Sequence, residues 1–385
     1  MKFFAPIFLI LLQVGLTNNA AQARDWQPPQ SENLARWIDR AEDEAIALPP
    51  DEAAAIRRAI DAADEEVLDR VSHAAAMRLL RAYHGRCCGP ERPARWHIVD
   101  PASEQEWRSG LETALSDNTL DLYLRSMRPQ HPYYRKLSAA YARETDENRK
   151  LILARNLARW RWMPRDLGPR YLLANAASQE VTLWSNAQPV GRWRTIVGKP
   201  ASPTPVFTTQ VTGVILNPWW EIPSSIAAEG IAAMVWRNPA AARARGYVYQ
   251  NGRYRQRPGD NNALGRMKLV MPNRFSVFLH DTSNRSLFDG ESRTLSHGCV
   301  RVDRALEFVG TLLAAGGQGD YDIDAVIAAG DTVKVMLDQP IPVYIAYFTA
   351  EPDGYSGVRY LTDVYRRDGL PAARQAGIEA ECSLG

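Results

Sequence analysis

The sequence predicts an α+β protein in which a helical N-terminal domain precedes a mainly-β domain that carries one long insertion. Two observations carry this. Residues 24–165 are rich in Ala, Arg and Glu, with apolar positions at helical spacing. After Pro164 the pattern shortens to β-branched and aromatic runs separated by Gly, Pro and Asn. At 385 residues the chain is long enough for more than one domain and a sizeable core.

At the N-terminus, Met1-Lys2, an apolar run from Phe3 to Leu16, and Asn18-Asn19-Ala20-Ala21-Gln22-Ala23 predict a signal peptide over residues 1–23 and a periplasmic mature protein. An uncleaved anchor is the rival, but the run is shorter than the roughly 20 residues that span a bilayer. No later segment qualifies as a membrane span. Pro49-Pro50-Asp51 opens a helix with Ile56, Ile60, Ala63 and Val67 on one face. A second helix passes through Val71, Leu79 and Leu80 to end near Gly85, and Thr145 caps another that runs to about Ala158. No chemical motif lies in residues 24–165, which read as a scaffold.

Strands are expected at 171–175, 181–184, 192–197, 208–216, 277–280, 333–337 and 343–348. The β domain covers 166–340, interrupted by an insertion at 218–273 with a helix near 224–236 and an Arg- and Tyr-rich loop at 243–260. Residues 341–385 form a C-terminal extension packing on the scaffold. Trp219, Trp220 and Trp236 read first as core or hinge packing, with Trp220 also kept as a substrate-side candidate.

With 46 basic against 44 acidic residues, interleaved along the chain, nothing points to nucleic acid. Cys87 and Cys88 are adjacent and Cys382 lies near the C-terminus. In an oxidising compartment one of the pair can bridge to Cys382; unpaired thiols or a vicinal link are the alternatives. His84-Gly85-Arg86-Cys87-Cys88 lacks zinc-ligand spacing, so no metal or other cofactor is expected.

The chemistry concentrates at His280 and at Ser296-His297-Gly298-Cys299-Val300-Arg301. A thiol is a strong nucleophile but is mostly protonated at neutral pH; a neighbouring imidazole takes that proton and stays charged beside the sulfur. Gly298 permits a tight turn and leaves backbone N–H groups for a developing oxyanion. Phe275–Leu279 reads as a buried strand delivering His280. Val300-Arg301-Val302 continues from Cys299, and Asp303 caps a helix carrying Leu306, Val309 and Leu313.

This pattern resembles the YkuD-type L,D-transpeptidases, cysteine enzymes that remodel bacterial peptidoglycan, whose signature is a His, a spacer and [Ser/Thr]-His-Gly-Cys-x-Arg. The similarity extends to the larger YcbB-like branch through the run from Arg159 to Gly168, Val197-Gly198-Lys199-Pro200, Thr204-Pro205-Val206-Phe207, the run from Asn217 to Pro223, and the run from Asn262 to Lys268. It is dense from about Arg155 to Arg367. The resemblance implies Cys299 as acyl-accepting nucleophile, His280 as base held by the Asp281 backbone carbonyl, and Gly298 as an oxyanion N–H donor. It also implies Ser296 and His297 as pocket residues and Arg301 as a buttress or a partner for a substrate carboxylate. Lys268 and Arg266 are further candidates for carboxylates. The Asp281 carboxylate is expected either on His280 or pointing out from a turn.

By the same resemblance the 218–273 insertion is lid-like, and the partners are a donor stem tetrapeptide and an acceptor diaminopimelate amine, joined as a 3→3 cross-link, with carbapenems acylating Cys299. The stretch from Leu111 to Pro132 is too short for the small peptidoglycan-binding module that larger members insert. Alternatives on the same scaffold are an L,D-carboxypeptidase or endopeptidase and a lipoprotein-anchoring transferase. A non-catalytic peptidoglycan-binding protein and a thiol-redox protein are rivals of a different class.

Overall fold

The computed structural model describes residues 26–319, 321–354 and 357–369, so the expected signal peptide and Cys382 lie outside the described residues. Helices α1 (Pro28–Asp39), α2 (Glu52–Asp61), α3 (Glu65–Tyr83), α4 (Glu104–Ser116), α5 (Leu120–Met127), α6 (Pro132–Tyr141) and α7 (Glu147–Arg161) come first, with the short strand β1 (Trp96–His97) between α3 and α4. Local capping sets their ends. Ser103 and Glu106 form a reciprocal capping box on α4. Asp64 accepts the Val67 N–H at the start of α3. Ala63 adopts a left-handed φ of 51°, which stops α2 at Asp61, so Val67 belongs to α3 and not to the helix opened by Pro49. Asp146, one residue beyond the expected Thr145, caps α7 by accepting the Arg149 N–H at 2.8 Å.

The helical region divides in packing terms. Leu34, Ile56, Leu79, Leu80, Leu111 and Leu124 close a core among α1–α5. Tyr134, Leu137, Leu153, Leu157 and Trp160 of α6 and α7 instead join the core of the β domain, where Trp160 stacks on Phe348 with ring centroids 4.4 Å apart. The helices expected as one scaffold domain over 24–165 thus contribute to two cores, α1–α5 mainly to one and α6–α7 to that of the β domain.

The remaining strands are β2 (Arg170–Asn175), β3 (Glu180–Ser185), β4 (Gln188–Gly198), β5 (Val206–Leu216), β6 (Trp220–Glu221), β7 (Tyr247–Gln250), β8 (Arg253–Gln256), β9 (Met267–Val270), β10 (Leu279–His280), β11 (Thr294–Ser296), β12 (Val300–Val302), β13 (Val333–Ala346), β14 (Ala350–Pro352) and β15 (Val358–Tyr360). The main sheet runs β5-β13-β2-β3-β4-β12-β10-β9, and β9 pairs back onto β5, so the ring closes. Closure removes exposed edges. β1 adds to β5, and β11 adds to β4.

Three expectations are corrected here. β9 belongs to this ring, so the insertion ends before Met267 rather than at 273. β13 is one strand of 14 residues with a register shift between Met336 and Ile341, so a boundary at 340/341 cuts through the sheet. Its second half pairs with β2 and β5, while β14 and β15 pack beyond it. Pro340 falls in that register shift, where a missing N–H costs no ladder bond. Ser276 takes a φ of 54°, and the strand before His280 shrinks to Leu279–His280.

In the insertion, short helical turns from Ser224 to Ala244 lie between β6 and the hairpin β7–β8, and the three strands form the sheet β6-β8-β7. Gly230 breaks the expected single helix with a φ of 124°. Trp236 is 66% exposed, so it is not core; it donates to the Tyr254 hydroxyl at 2.8 Å. Trp219 lies under the Arg255 guanidinium at 4.4 Å. The C-terminal extension returns to the helices: Asp368 pairs with Arg159 of α7 at 2.7 Å and the Tyr360 hydroxyl meets Glu144 at 3.1 Å. Cys87 and Cys88 form a vicinal disulfide, and Cys299 is the free cysteine among the described residues. No described helix is long and apolar enough to cross a membrane.

Candidate active site

Neighbouring strands put the candidate residues side by side. β10 and β12 pair in parallel with His280 opposite Arg301, and β9 pairs antiparallel to β10 with Lys268 opposite His280. Cross-strand partners point to the same face, so Lys268, His280 and Arg301 form one row. Cys299 precedes β12 and sits two residues before Arg301. Extended spacing then places its Cα roughly 8 Å from that of His280, a diagonal that two side chains can bridge.

His280 is buried, and its Nδ1 lies 2.5 Å from the Asp281 carbonyl oxygen. A carbonyl only accepts, so Nδ1 carries the hydrogen and Nε2 keeps the lone pair a base needs. Burial pushes His280 down to about 3, helped by the Arg301 and Lys268 charges. Cys299 is half-buried; burial raises its thiol, against opposing effects of the Phe278 N–H, Lys268 and Arg301. The pair is therefore neutral at rest, unlike the imidazolium–thiolate expected from the sequence. In this structure Cys299 Sγ donates to the Ser276 carbonyl at 3.9 Å, so rotation of the thiol is needed to bring its proton to His280.

The Asp281 side chain serves elsewhere. It is 2% exposed, accepts the Arg266 N–H at 2.8 Å and lies 3.4 Å from the Arg285 guanidinium. It packs against Gly265, where a Cβ would fall 2.4 Å from its carboxyl carbon. It neither touches His280 nor points out from a turn; it holds the 265–266 turn that leads into β9.

Ser296 ties the Cys299 turn from within. Its hydroxyl donates to the Cys299 carbonyl at 2.5 Å and accepts the Gly298 N–H at 3.0 Å. The Gly298 N–H is thus spent on Ser296 and is not the free oxyanion donor expected. Gly298 has a φ of 116°, a conformation that favours glycine. His297 is exposed, with Nε2 3.3 Å from Glu229 of the insertion and 3.5 Å from Lys199 Nζ. Lys268 Nζ sits 3.8 Å above the Phe278 ring, and burial lowers its pKa. The Arg301 Nε is buried without a partner among the described residues. Trp220 pairs through its backbone with Gln256 on the insertion sheet, outside the row. Arg266 is engaged by Asp260.

Two supporting residues had no role in the sequence. Thr204 Oγ1 accepts the Gly198 N–H and donates to the Gly298 carbonyl, each at 2.9 Å, stitching the end of β4 to the Cys299 turn. The Tyr365 hydroxyl donates to the Gly198 carbonyl at 2.6 Å and accepts the Thr204 N–H at 3.3 Å. The Thr204-Pro205 motif was the available signal for the first; nothing marked Tyr365.

Residues 169–335 match the L,D-transpeptidase catalytic domain, and residues 20–140 match a scaffold domain. A provisionally named L,D-transpeptidase of Haemophilus influenzae is 27% identical over 302 residues, covering 71% of this chain and 60% of that protein. The chain thus spans about 60% of the length of that curated relative. Among solved structures, an L,D-transpeptidase from Mycobacterium smegmatis overlaps 46% of this chain and 58% of its own at 14% identity and a TM-score of 0.25. One from Mycobacterium tuberculosis overlaps 46% and 57% at 13% identity and a TM-score of 0.25. These are partial superpositions.

Proposed function

We propose that this chain, whose residues 169–335 match the L,D-transpeptidase catalytic domain and residues 20–140 a scaffold domain, is a YkuD-type L,D-transpeptidase that transfers peptidoglycan stem peptides through a thioester on Cys299. The observation that carries this is a half-buried thiol on the same sheet face as a buried, neutral imidazole whose Nδ1 is committed to the Asp281 carbonyl.

The donor is a stem tetrapeptide ending in D-alanine. As its carbonyl approaches, the thiol proton moves to His280 Nε2, and sulfur attacks that carbonyl. The C–N bond to D-alanine breaks, the carbon–sulfur bond replaces it, and His280 gives the proton to the departing amine. A diaminopimelate amine of a second stem then attacks the thioester, forming an amide and returning the proton to sulfur through His280. The product is a 3→3 cross-link. Keeping the resting pair neutral protects the thiol until substrate displaces water, and Lys268 and Arg301 favour the negative sulfur as it forms. With the Gly298 N–H held by Ser296, the Cys299 N–H is the donor assigned to the oxyanion. The unpartnered Arg301 Nε is assigned to a stem carboxylate. Carbapenems, whose strained carbonyl resembles the donor, acylate Cys299. The YcbB-like branch, the lid role of the insertion and the periplasmic location belong to the same proposal; the His297–Glu229 contact supports the lid.

Incubation with diaminopimelate tetrapeptide muropeptides and mass analysis of the products tests it. A cross-linked dimer lacking one D-alanine is expected. Tripeptide alone makes the enzyme a hydrolase, and no product from the active protein contradicts the proposal.

A further inference from the structure

Where α7, β1, β5 and the C-terminal extension meet lies a cavity of about 180 Å³. Arg95, Arg155, Arg159 and Arg367 line it, with the Trp96 and Tyr347 rings in its wall and Glu91 at its exposed rim. Apart from Glu91, the acids nearby are already used. Asp368 is paired with Arg159 at 2.7 Å. Asp363 accepts from the Tyr347 hydroxyl and the backbone N–H groups of Arg367 and Asp368.

Arg95, Arg155 and Arg367 are left without a carboxylate partner among the described residues. Arg367 is held in place by aromatic faces, 4.9 Å from the Tyr347 ring and 4.8 Å from the Tyr365 ring. Burial lowers its pKa, and the like charges of Arg95 and Arg159 lower it further. Bringing uncompensated like charges together in a partly enclosed space is unfavourable unless an anion joins them. Planar guanidinium groups that converge on one cavity suit an oxyanion, which they hold through paired N–H donors.

We propose that this cavity binds an oxyanion, a carboxylate or a phosphate group, held by Arg155 and Arg367 with Arg95 closing the rim. It is separate from the thioester site and does not rest on that chemistry. It does connect to it: Arg367 Nη2 donates to the Thr204 carbonyl at 3.4 Å, and Thr204 Oγ1 donates to the Gly298 carbonyl. Drawing Arg367 toward a bound anion loosens its hold on Thr204, so occupancy reaches the Cys299 turn.

Trp96 and Trp162 both line the cavity and report on it. The full chain is titrated with inorganic phosphate at constant ionic strength, following tryptophan fluorescence, with chloride as the control. Saturable binding is expected for phosphate alone, weakened at least tenfold in both Arg155→Gln and Arg367→Gln. Arg95→Gln, at an exposed position that leaves the fold alone, is expected to weaken it severalfold. Adding N-acetylated tetrapeptide distinguishes the sources. Displacement of phosphate assigns a peptide carboxylate, and no displacement assigns free phosphate; either outcome supports the site. A response equal for chloride, or a phosphate affinity unchanged in all three variants, overturns it. A failed cross-linking assay leaves this result unaffected, so the two proposals fail separately.

Discussion

At the residue scale, the division of labour between the two halves of residue 281 is the most instructive. Its carbonyl fixes the His280 tautomer, while its carboxylate holds the 265–266 turn and offers the imidazole no negative charge. His280 thereby has no carboxylate behind it, and burial, helped by the Arg301 and Lys268 charges, lowers its pKa. Replacing His280 by Ala is expected to slow acylation about 10²- to 10⁴-fold, the usual worth of general base catalysis, measured by stopped-flow with a carbapenem. The raised thiol pKa lowers the thiolate fraction at neutral pH. Alkylation of Cys299 by iodoacetamide should therefore rise with pH to a midpoint above that of free cysteine measured alongside. A midpoint below it would contradict the neutral resting pair. Arg301→Lys should reduce peptide turnover more than charge retention suggests, because a lysine cannot reproduce the forked donors; kinetics equal to the parent would remove Arg301 from substrate binding.

The Ser296–Cys299 turn was legible in the sequence because its hydrogen bonds span two or three residues, whereas His280 joins it through the pairing of β10 with β12. Thr204 and Tyr365 were not, since they reach the turn from 94 residues before Gly298 and 167 residues after Gly198, where contact depends on the closed sheet. The resting charge state was misread for a related reason: burial and the cross-strand cations decide it, and neither shows in a local motif.

At the scale of elements, strands and helices followed from periodicity, but their ends did not. The apolar pattern runs on through Ala63, and only a left-handed residue there separates α2 from α3. β9 was hidden in the insertion because four residues carry little signal and gain their place by pairing with two partners. Thr204 joins β4 to the Cys299 turn by one hydroxyl with two bonds. Thr204→Val keeps the shape and strands a buried N–H and carbonyl, which should cost about 1–3 kcal/mol. Thermal unfolding measures that cost, and a matching loss of acylation rate would show that the stitch positions Cys299.

At the scale of the whole molecule, α7 and the C-terminal extension are joined by a buried ion pair. Arg159 and Asp368 are both nearly inaccessible. Removing one partner leaves an unpaired buried charge, so Asp368→Ala should destabilise by about 3–5 kcal/mol. An unchanged unfolding midpoint would show the pair to be unimportant. Acid sensitivity has a defined sign too. His131 and His280 are both lowered by burial to about 3, whereas an unfolded histidine titrates near 6.5. Between those values the unfolded chain binds protons the folded one does not, so stability falls as pH drops from 6.5 toward 3. His131→Gln should flatten that part of the urea-denaturation profile.

The central claim is that Cys299 carries the acyl group. Intact-protein mass spectrometry after brief exposure to a tetrapeptide donor, with acid quench and peptide mapping, reads this directly. The expected result is an adduct equal to the donor minus D-alanine, located on Cys299 and missing from a folded Cys299→Ala protein. An adduct on another residue, or cross-linking by Cys299→Ala at the parent rate, would contradict it.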